Sequence, residues 1–311
     1  MNIIDSIIHL YGHLLKGSYL LTPLRIIVRS IADKAIPQSL LKERLPEDKR
    51  TSYRDLIEDR KIVVSLTSFP ARIDKVHLVI RCLKRQTVRP DKIVLWLSKE
   101  QFNGFMLPDN LTSLVDDVFE IRMEDKDYRS HKKYCYSFKE FNNDLVILVD
   151  DDIYYQSTMI EELLKGLYKH PNAVICQYGS MMRFNEDGTL PPFNAWWKEK
   201  RESRFSKDFF FGTGGGSLFQ PNRIVDTILD IELAMRLAPS ADDIWVNAMV
   251  RLSGLSIYKI ECGLLLQMTE QQASALKQQN SYSGQNDEQF KNVITYFINY
   301  KGINPFAKRD N

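Results

Sequence analysis

The chain is poor in cysteine: Cys82, Cys135, Cys176 and Cys262 are the only four in 311 residues, and no two form a CxxC pair. That spacing excludes a zinc site of the usual kind and a dense disulfide framework. Cys82 and Cys176 sit inside apolar runs, where a small buried hydrophobe is the expected role. A reducing, cytoplasmic compartment fits this usage. Charge of either sign is not in surplus, since 42 Lys and Arg against 40 Asp and Glu leave a formal net charge of +2. Dedicated nucleic-acid binders carry a strong basic excess, so no nucleic-acid partner is expected. Also missing is any run approaching the ~20 apolar residues of a spanning helix. Residues 3–36 are largely apolar, but Asp5, Lys16, Arg25, Arg29, Asp33 and Lys34 interrupt them, and they do not read as a signal peptide. Internal repeats and low-complexity tracts are absent too.

What remains is an ordinary globular composition, 44% hydrophobic and 26% charged, in a chain long enough for one substantial core. Near the N-terminus Ile4, Ile7, Ile8 and Tyr11, then Leu14 and Leu15, recur at helical spacing. With Lys16, Arg25 and Arg29 beside it, this stripe reads in two ways. It is either an interfacial helix on the anionic inner face of the plasma membrane, or a stripe packed on the catalytic domain or a second subunit. From Pro37 to Arg60 the chain turns polar and reads as a linker. Three parts follow: a helical extension and linker (1–60), a catalytic domain (61–270), and a polar loop with a last helix (271–311), that helix being placed at Phe290 to Tyr300.

Within the middle part, strands are expected at Ile62 to Leu66, Lys92 to Leu97, Val118 to Met123, Leu145 to Val149 and Ala173 to Gln177. Helices are expected at Val76 to Gln86, Tyr128 to Phe141, Met159 to Tyr168 and Asp243 to Leu252. This alternation predicts an α/β fold whose mostly parallel sheet is covered on both faces. Beyond Gly179 the pattern loosens into aromatic and Gly-rich stretches before the helix near Asp243.

The sharpest chemical feature is LVILVDDDIYY, residues 145–155. A run apolar on both faces reads as a central strand, and it ends in Asp150, Asp151 and Asp152. Period-2 alternation would send Asp150 and Asp152 to one side and Asp151 to the other. Acids at the carboxyl end of a parallel strand lie where open α/β sheets take ligands. Three adjacent negative charges call for a cation, and Mg²⁺ or Mn²⁺ takes one or two carboxylates together with substrate phosphates. A solvated acidic turn is the plain alternative. Asp242 and Asp243 open a second acidic element, where either helix capping or general-base chemistry accounts for them. Between the two lies Phe211-Gly212-Thr213-Gly214-Gly215-Gly216-Ser217, which has neither the Lys-Ser/Thr of a P-loop nor the last glycine of a dinucleotide fingerprint. Its bare backbone at Gly214, Gly215 and Gly216 would let a substrate come close, or it is a structural turn. Lys132 and Lys133 are cations ahead of the acidic strand, on a helix whose charged face is otherwise simply solvated. Trp196 and Trp197 form an aromatic patch suited to stacking on sugars or to core packing.

The strand with its three acids resembles the DxD motif of GT-A glycosyltransferases, and the chain is similar to bacterial family 2-like members from about Lys61 to about Gly263. The resemblance implies a GT-A, Rossmann-like sheet flanked by helices, preceded here by an amphipathic helical extension. It implies a nucleotide-sugar donor, UDP-linked first, held by Thr67, Ser68, Phe69, Arg72, Asp150 and Asp151. Mn²⁺ or Mg²⁺ would sit on Asp152 and Asp150, and Lys132 or Lys133 would face the diphosphate. Asp243 would act as base with Asp242 beside it, and Gly214 to Gly216 with Trp196 and Trp197 would border donor sugar and acceptor. The acceptor would be a saccharide or lipid-linked saccharide of the cell envelope. One departure is Leu97-Ser98-Lys99, which lacks the acid that many members place against the base. A sugar-nucleotide nucleotidyltransferase is a second reading, disfavoured because no glycine lies between Ser65 and Arg72. A non-catalytic envelope-assembly scaffold is a third, and it has no need of two carboxylate clusters.

Overall fold

The computed structural model describes residues 3–13, 22–42, 45–197, 204–261, 265–268 and 284–309. Strands run in chain order as β1 (Ile62–Thr67), β2 (Lys92–Ser98), β3 (Phe119–Glu124), β4 (Leu145–Val149), β5 (Ile153–Tyr154) and β6 (Ala173–Cys176). They continue as β7 (Gly179–Met181), β8 (Arg204–Ser206), β9 (Phe209–Phe211), β10 (Gly215–Phe219), β11 (Ser256–Lys259) and β12 (Leu266–Gln267). Eight of them form one sheet in the order β3-β2-β1-β4-β10-β6-β11-β8. The first four are mutually parallel, as are β6 and β11, whereas β10 runs antiparallel between β4 and β6. The α/β, Rossmann-like and mostly parallel sheet expected from the sequence is the one observed.

Alternate residues of the apolar runs feed two cores. Ile62, Val64 and Leu66 of β1 and Leu145, Ile147 and Val149 of β4 face one side, with the helices Ile73–Lys84 and Met159–Lys169. Val63, Val146 and Leu148 face the other, under the helices Lys132–Glu140, Asp242–Leu252 and Gln285–Lys301. A strand coated on both faces cannot alternate apolar with polar, so these runs are continuous.

Two expectations are corrected. The helix Thr22–Lys42 passes through Pro37 rather than ending there, so the polar linker begins later than the sequence suggested. Proline removes one helical hydrogen bond; the packing of Ala32, Ile36 and Leu40 into the core holds the helix on either side of it. The second correction concerns the Gly-rich stretch: Gly215 and Gly216 lie within β10 at the sheet centre, with a register irregularity between Gly215 and Ser217. Gly216 has φ +92°, which breaks the side-chain alternation that marks a strand. Of the remaining expectations, Leu14, Leu15, Cys262 and residues 271–283 lie outside the described residues.

The N-terminal helix Ile3–His13 buries Ile4, Ile8 and Tyr11, as its spacing predicts. It is also tied to the domain by charge. Asp5 accepts from Ser157 N at 2.9 Å and Ser157 Oγ at 2.5 Å, and pairs with buried Arg85 at 3.3 Å. Asp5→Ala is expected to lower stability by about 3 kcal/mol, because it strips a buried guanidinium of a counter-charge. Thermal unfolding checks this; a melting temperature unchanged within error would mean that the tie contributes nothing.

Candidate active site

The first acidic element stands at the carboxyl end of β4, beside the end of β1, in the crevice where the central strands stop. The strand ends at Val149, and Asp151 and Asp152 occupy a turn. Period-2 alternation therefore fails here. Asp151 and Asp152 both reach Arg72, whereas Asp150 is held by Lys133. Arg72 Nη1 lies 2.7 Å from Asp151 Oδ1 and 3.3 Å from Asp152 Oδ2, with its guanidinium 5.3 Å from the centre of the Phe69 ring. Ser68 Oγ donates to Asp151 Oδ2 at 2.6 Å. The turn after β1 thus holds the middle acid, while Thr67 donates its hydroxyl to Trp96 O at 2.7 Å.

Asp150 is the open member, its side chain 41% exposed. Lys133 Nζ sits 2.8 Å from Asp150 Oδ1 and 3.1 Å from Asp242 Oδ2, so one ammonium joins the two acidic elements. Ser65 places that lysine: it accepts from Trp96 Nε1 at 2.9 Å and donates to Lys133 O at 2.5 Å. Lys132 is not brought to the cluster. It is buried on the far side with Asp127 and Gln101. Successive helical residues point about 100° apart, so only one of the two lysines could reach the acids.

Asp242 and Asp243 begin the helix Asp242–Leu252, yet neither caps it: the residue before the helix is Ala241, and no side-chain cap bond forms. Their carboxylates turn instead to Thr213, whose amide donates to Asp243 Oδ1 at 2.7 Å. Its hydroxyl lies 2.7 Å from Asp242 Oδ2 and 2.6 Å from Asp243 Oδ1. Asn247 braces the same corner, donating to Phe211 O and Asp243 O at 2.8 Å each.

Environment separates this pair. Burial works to raise Asp242, but Lys133, His131 and hydrogen bonds from Thr213 and Ser130 together outweigh it and hold the carboxyl at about 2. Asp243, raised by burial and then by its ionised neighbour, is pushed up to about 7. Asp152 is likewise pushed up to about 7 by burial and by Asp151 and Asp150. Against the cost of burial, Lys133 and Arg72 are both held above their ordinary range by these acids.

The glycine segment closes the third side. Asp150 N donates to Gly214 O at 2.9 Å and lies 2.8 Å from the Tyr155 hydroxyl, which also donates to Gly214 O. A Cβ on Gly214 would stand 1.8 Å from Asp150 Oδ1, so any larger residue must push that carboxylate aside. Gly212 and Gly215 lie against Tyr178, whose ring meets Trp197 edge-on at 5.3 Å. Trp197 therefore reaches this wall through Tyr178. Trp196 does not: it is buried against Phe210 and Phe290, with its indole donating to Pro191 O. Of the two tryptophans, Trp196 is a core residue.

Five carboxylates meet here, and the cations in contact with them among the described residues are Arg72 and Lys133. The excess is negative, and a divalent ion would reduce it. No three carboxylate, imidazole or thiolate groups converge as a ready metal cage among the described residues. Asp150 and Asp152 with phosphate oxygens would match the sparse protein ligation usual for Mg²⁺. Tyr155 and Asn247 were not singled out by the sequence, and Ser65 and Thr213 stood there only as members of longer segments, because nothing in the chain marks a hydroxyl or amide whose partner lies 30 to 70 residues away.

No protein family matches the chain by sequence, and no curated protein does. Solved structures align with it at low identity. A mannosyltransferase from Pyrobaculum calidifontis, in complex with GDP-Man and Mn²⁺, is 11% identical over 98% of this chain and 79% of that one, with TM-score 0.44. GalNAc-T7 with UDP, GalNAc and Mn²⁺ is 11% identical over 66% of this chain and 42% of that one, also with TM-score 0.44. A 4-diphosphocytidyl-2C-methyl-D-erythritol synthase from Anaerococcus prevotii is 11% identical over 66% of this chain and 90% of that one, with TM-score 0.38.

Proposed function

We propose that the protein is a metal-dependent glycosyltransferase that moves a sugar from a nucleoside-diphosphate donor to a hydroxyl acceptor with inversion. The observation that carries this reading is the joining of two carboxylate elements through Lys133 at the carboxyl end of the central strand β4, with one carboxyl held at about 2 and its neighbour pushed up to about 7. Two carboxyls driven apart by their surroundings assign themselves different work. Asp243 takes the proton of the acceptor hydroxyl as that oxygen attacks the anomeric carbon. The bond to the diphosphate breaks, and the nucleoside diphosphate leaves with its electron pair. Asp242 stays ionised and holds Lys133. Asp150 and Asp152 would hold Mn²⁺ or Mg²⁺, which when bound supplies Lewis-acid stabilisation of the leaving diphosphate. Arg72 orients Asp151 and Asp152, and Thr67 to Phe69 line the nucleoside side; Gly214 to Gly216, expected to leave room for the donor sugar, instead yield their side-chain space to Asp150, Tyr178 and Gln177 and serve as a packed wall. The donor class to try first is a UDP-sugar, with a saccharide or lipid-linked saccharide as acceptor.

Calorimetric titration of UDP with and without Mn²⁺, into wild type and Asp152→Ala, tests this. Binding is expected to require Mn²⁺ and to weaken at least about 100-fold in the variant, since even groups that merely brace a metal ligand contribute about 10–100-fold. Failure of UDP, GDP, CDP and dTDP alike to bind wild type would overturn the transferase and leave a non-catalytic scaffold.

A further inference from the structure

The helix Thr22–Lys42 carries two apolar stripes. Val28, Ala32, Ile36 and Leu40 are buried in the domain. A second set at spacings of three and four, Leu24, Ile27, Ile31 and Leu41, is 44 to 68% exposed, with Lys34 and Gln38 completing the same outward row. Ile3 of the neighbouring helix is also 57% exposed. Solvent does not favour so many large aliphatic side chains on one small helix pair, and such patches mark interaction surfaces. The outward row has the cation Lys34, exposed Lys42 follows it, and neither has an acid in that row. No helix among the described residues is long and apolar enough to cross a membrane.

We propose that this outward row docks on an anionic lipid surface, with Leu24, Ile27 and Ile31 entering the headgroup boundary and Lys34 and Lys42 meeting lipid phosphates. Charge decides between the candidate occupants. A second copy paired parallel along the same row would set Lys34 and Lys42 against cations of its own kind, and one paired antiparallel would press them onto Ile31 and Leu24 with no counter-charge. An anionic membrane satisfies both, and adds attraction for each. The helix pair is held to the domain through Asp5, whose partner Ser157 follows the acidic turn by five residues. Docking therefore fixes the orientation of the crevice relative to the lipid. The surface stands apart from the acidic crevice, so its test does not depend on glycosyl transfer.

Vesicle flotation with the full chain tests the proposal, using phosphatidylcholine alone and phosphatidylcholine mixed with phosphatidylglycerol. Wild type is expected to float with the mixed vesicles and much less with phosphatidylcholine alone. The exposed double variant Ile27→Glu/Ile31→Glu should lose at least tenfold in binding while its melting temperature stays put. Lys34→Gln should weaken binding to the mixed vesicles about fivefold, the equivalent of about 1 kcal/mol per cation near the surface. Wild type that floats with neither vesicle overturns the proposal, and so does a double variant that floats as wild type does. A dimer in analytical ultracentrifugation that the double variant dissolves would overturn it in favour of self-association.

Discussion

Asp243→Asn is expected to lower kcat by about 10²- to 10⁴-fold, the usual worth of a positioned general base, while Mn²⁺-dependent nucleotide binding is retained. The amide keeps the shape and can still meet Thr213, so the loss would lie in proton transfer. The pH profile carries the same information with a definite sign. Burial and the ionised Asp242 raise Asp243 to about 7, and the base works only when deprotonated. Turnover should therefore climb about tenfold per pH unit up to about 7 and level off above it. Asparagine should flatten that limb. Asp242→Asn should behave differently, because it takes one of two counter-charges from a lysine whose side chain is 4% exposed. Its main effect is a loss of stability of about 3 kcal/mol. The assignment fails if Asp243→Asn keeps kcat within about threefold of wild type.

The second large effect is expected from Gly214→Ala. Its backbone φ is not in the left-handed region, so the penalty is purely steric: the added methyl lands on the Asp150 carboxylate at 1.8 Å. Either the carboxylate swings away from Lys133 or β10 shifts against β4. Both damage the crevice. Overpacking of this kind costs about 1–3 kcal/mol, a drop of roughly 2–5 °C in melting temperature for a chain of 311 residues, and nucleotide binding should fall with it. Removing the obstacle provides the internal check. Asp150→Ala in the Gly214→Ala background should recover most of the lost stability without recovering binding. A single Gly214→Ala variant that melts and binds as wild type does would mean the contact yields freely.

How far the chain could be read varies with the kind of signal involved. β4 was legible because a strand buried on both faces must be apolar throughout, and LVILV followed by three acids has few other readings. β10 was not, although it lies beside β4. Gly215 and Gly216 remove the side chains from which alternation is read, and the irregularity at Gly216 shifts the rest by one position. Asp150, Asp152, Asp242 and Asp243 could be picked out as acids at element ends, but which of them share a cation could not. That depends on Lys133 being aimed by Ser65, a hydrogen bond across 68 residues of chain. Lys132 and Trp196 show the converse. Each is the right residue type one position away from the residue that faces the crevice or its wall, and helical phase or core packing turns it elsewhere.

The placement of β10 also has a consequence for synthesis on the ribosome. β1 to β4 are contiguous in the chain and pair among themselves, so that half can form as soon as Val149 has emerged. The open edge of β4 must then wait for β10, whose first residue, Gly215, is 66 positions further along. At about 5–20 residues per second that edge stands unpaired for roughly 3–13 s. During this interval Asp150 has no Gly214 opposite it, and Lys133 has no Asp242. The nascent chain therefore carries a formed half-sheet and an unassembled crevice: β10 closes the edge of β4, and the crevice is complete only when Asp242, 23 positions beyond the end of β10, has followed.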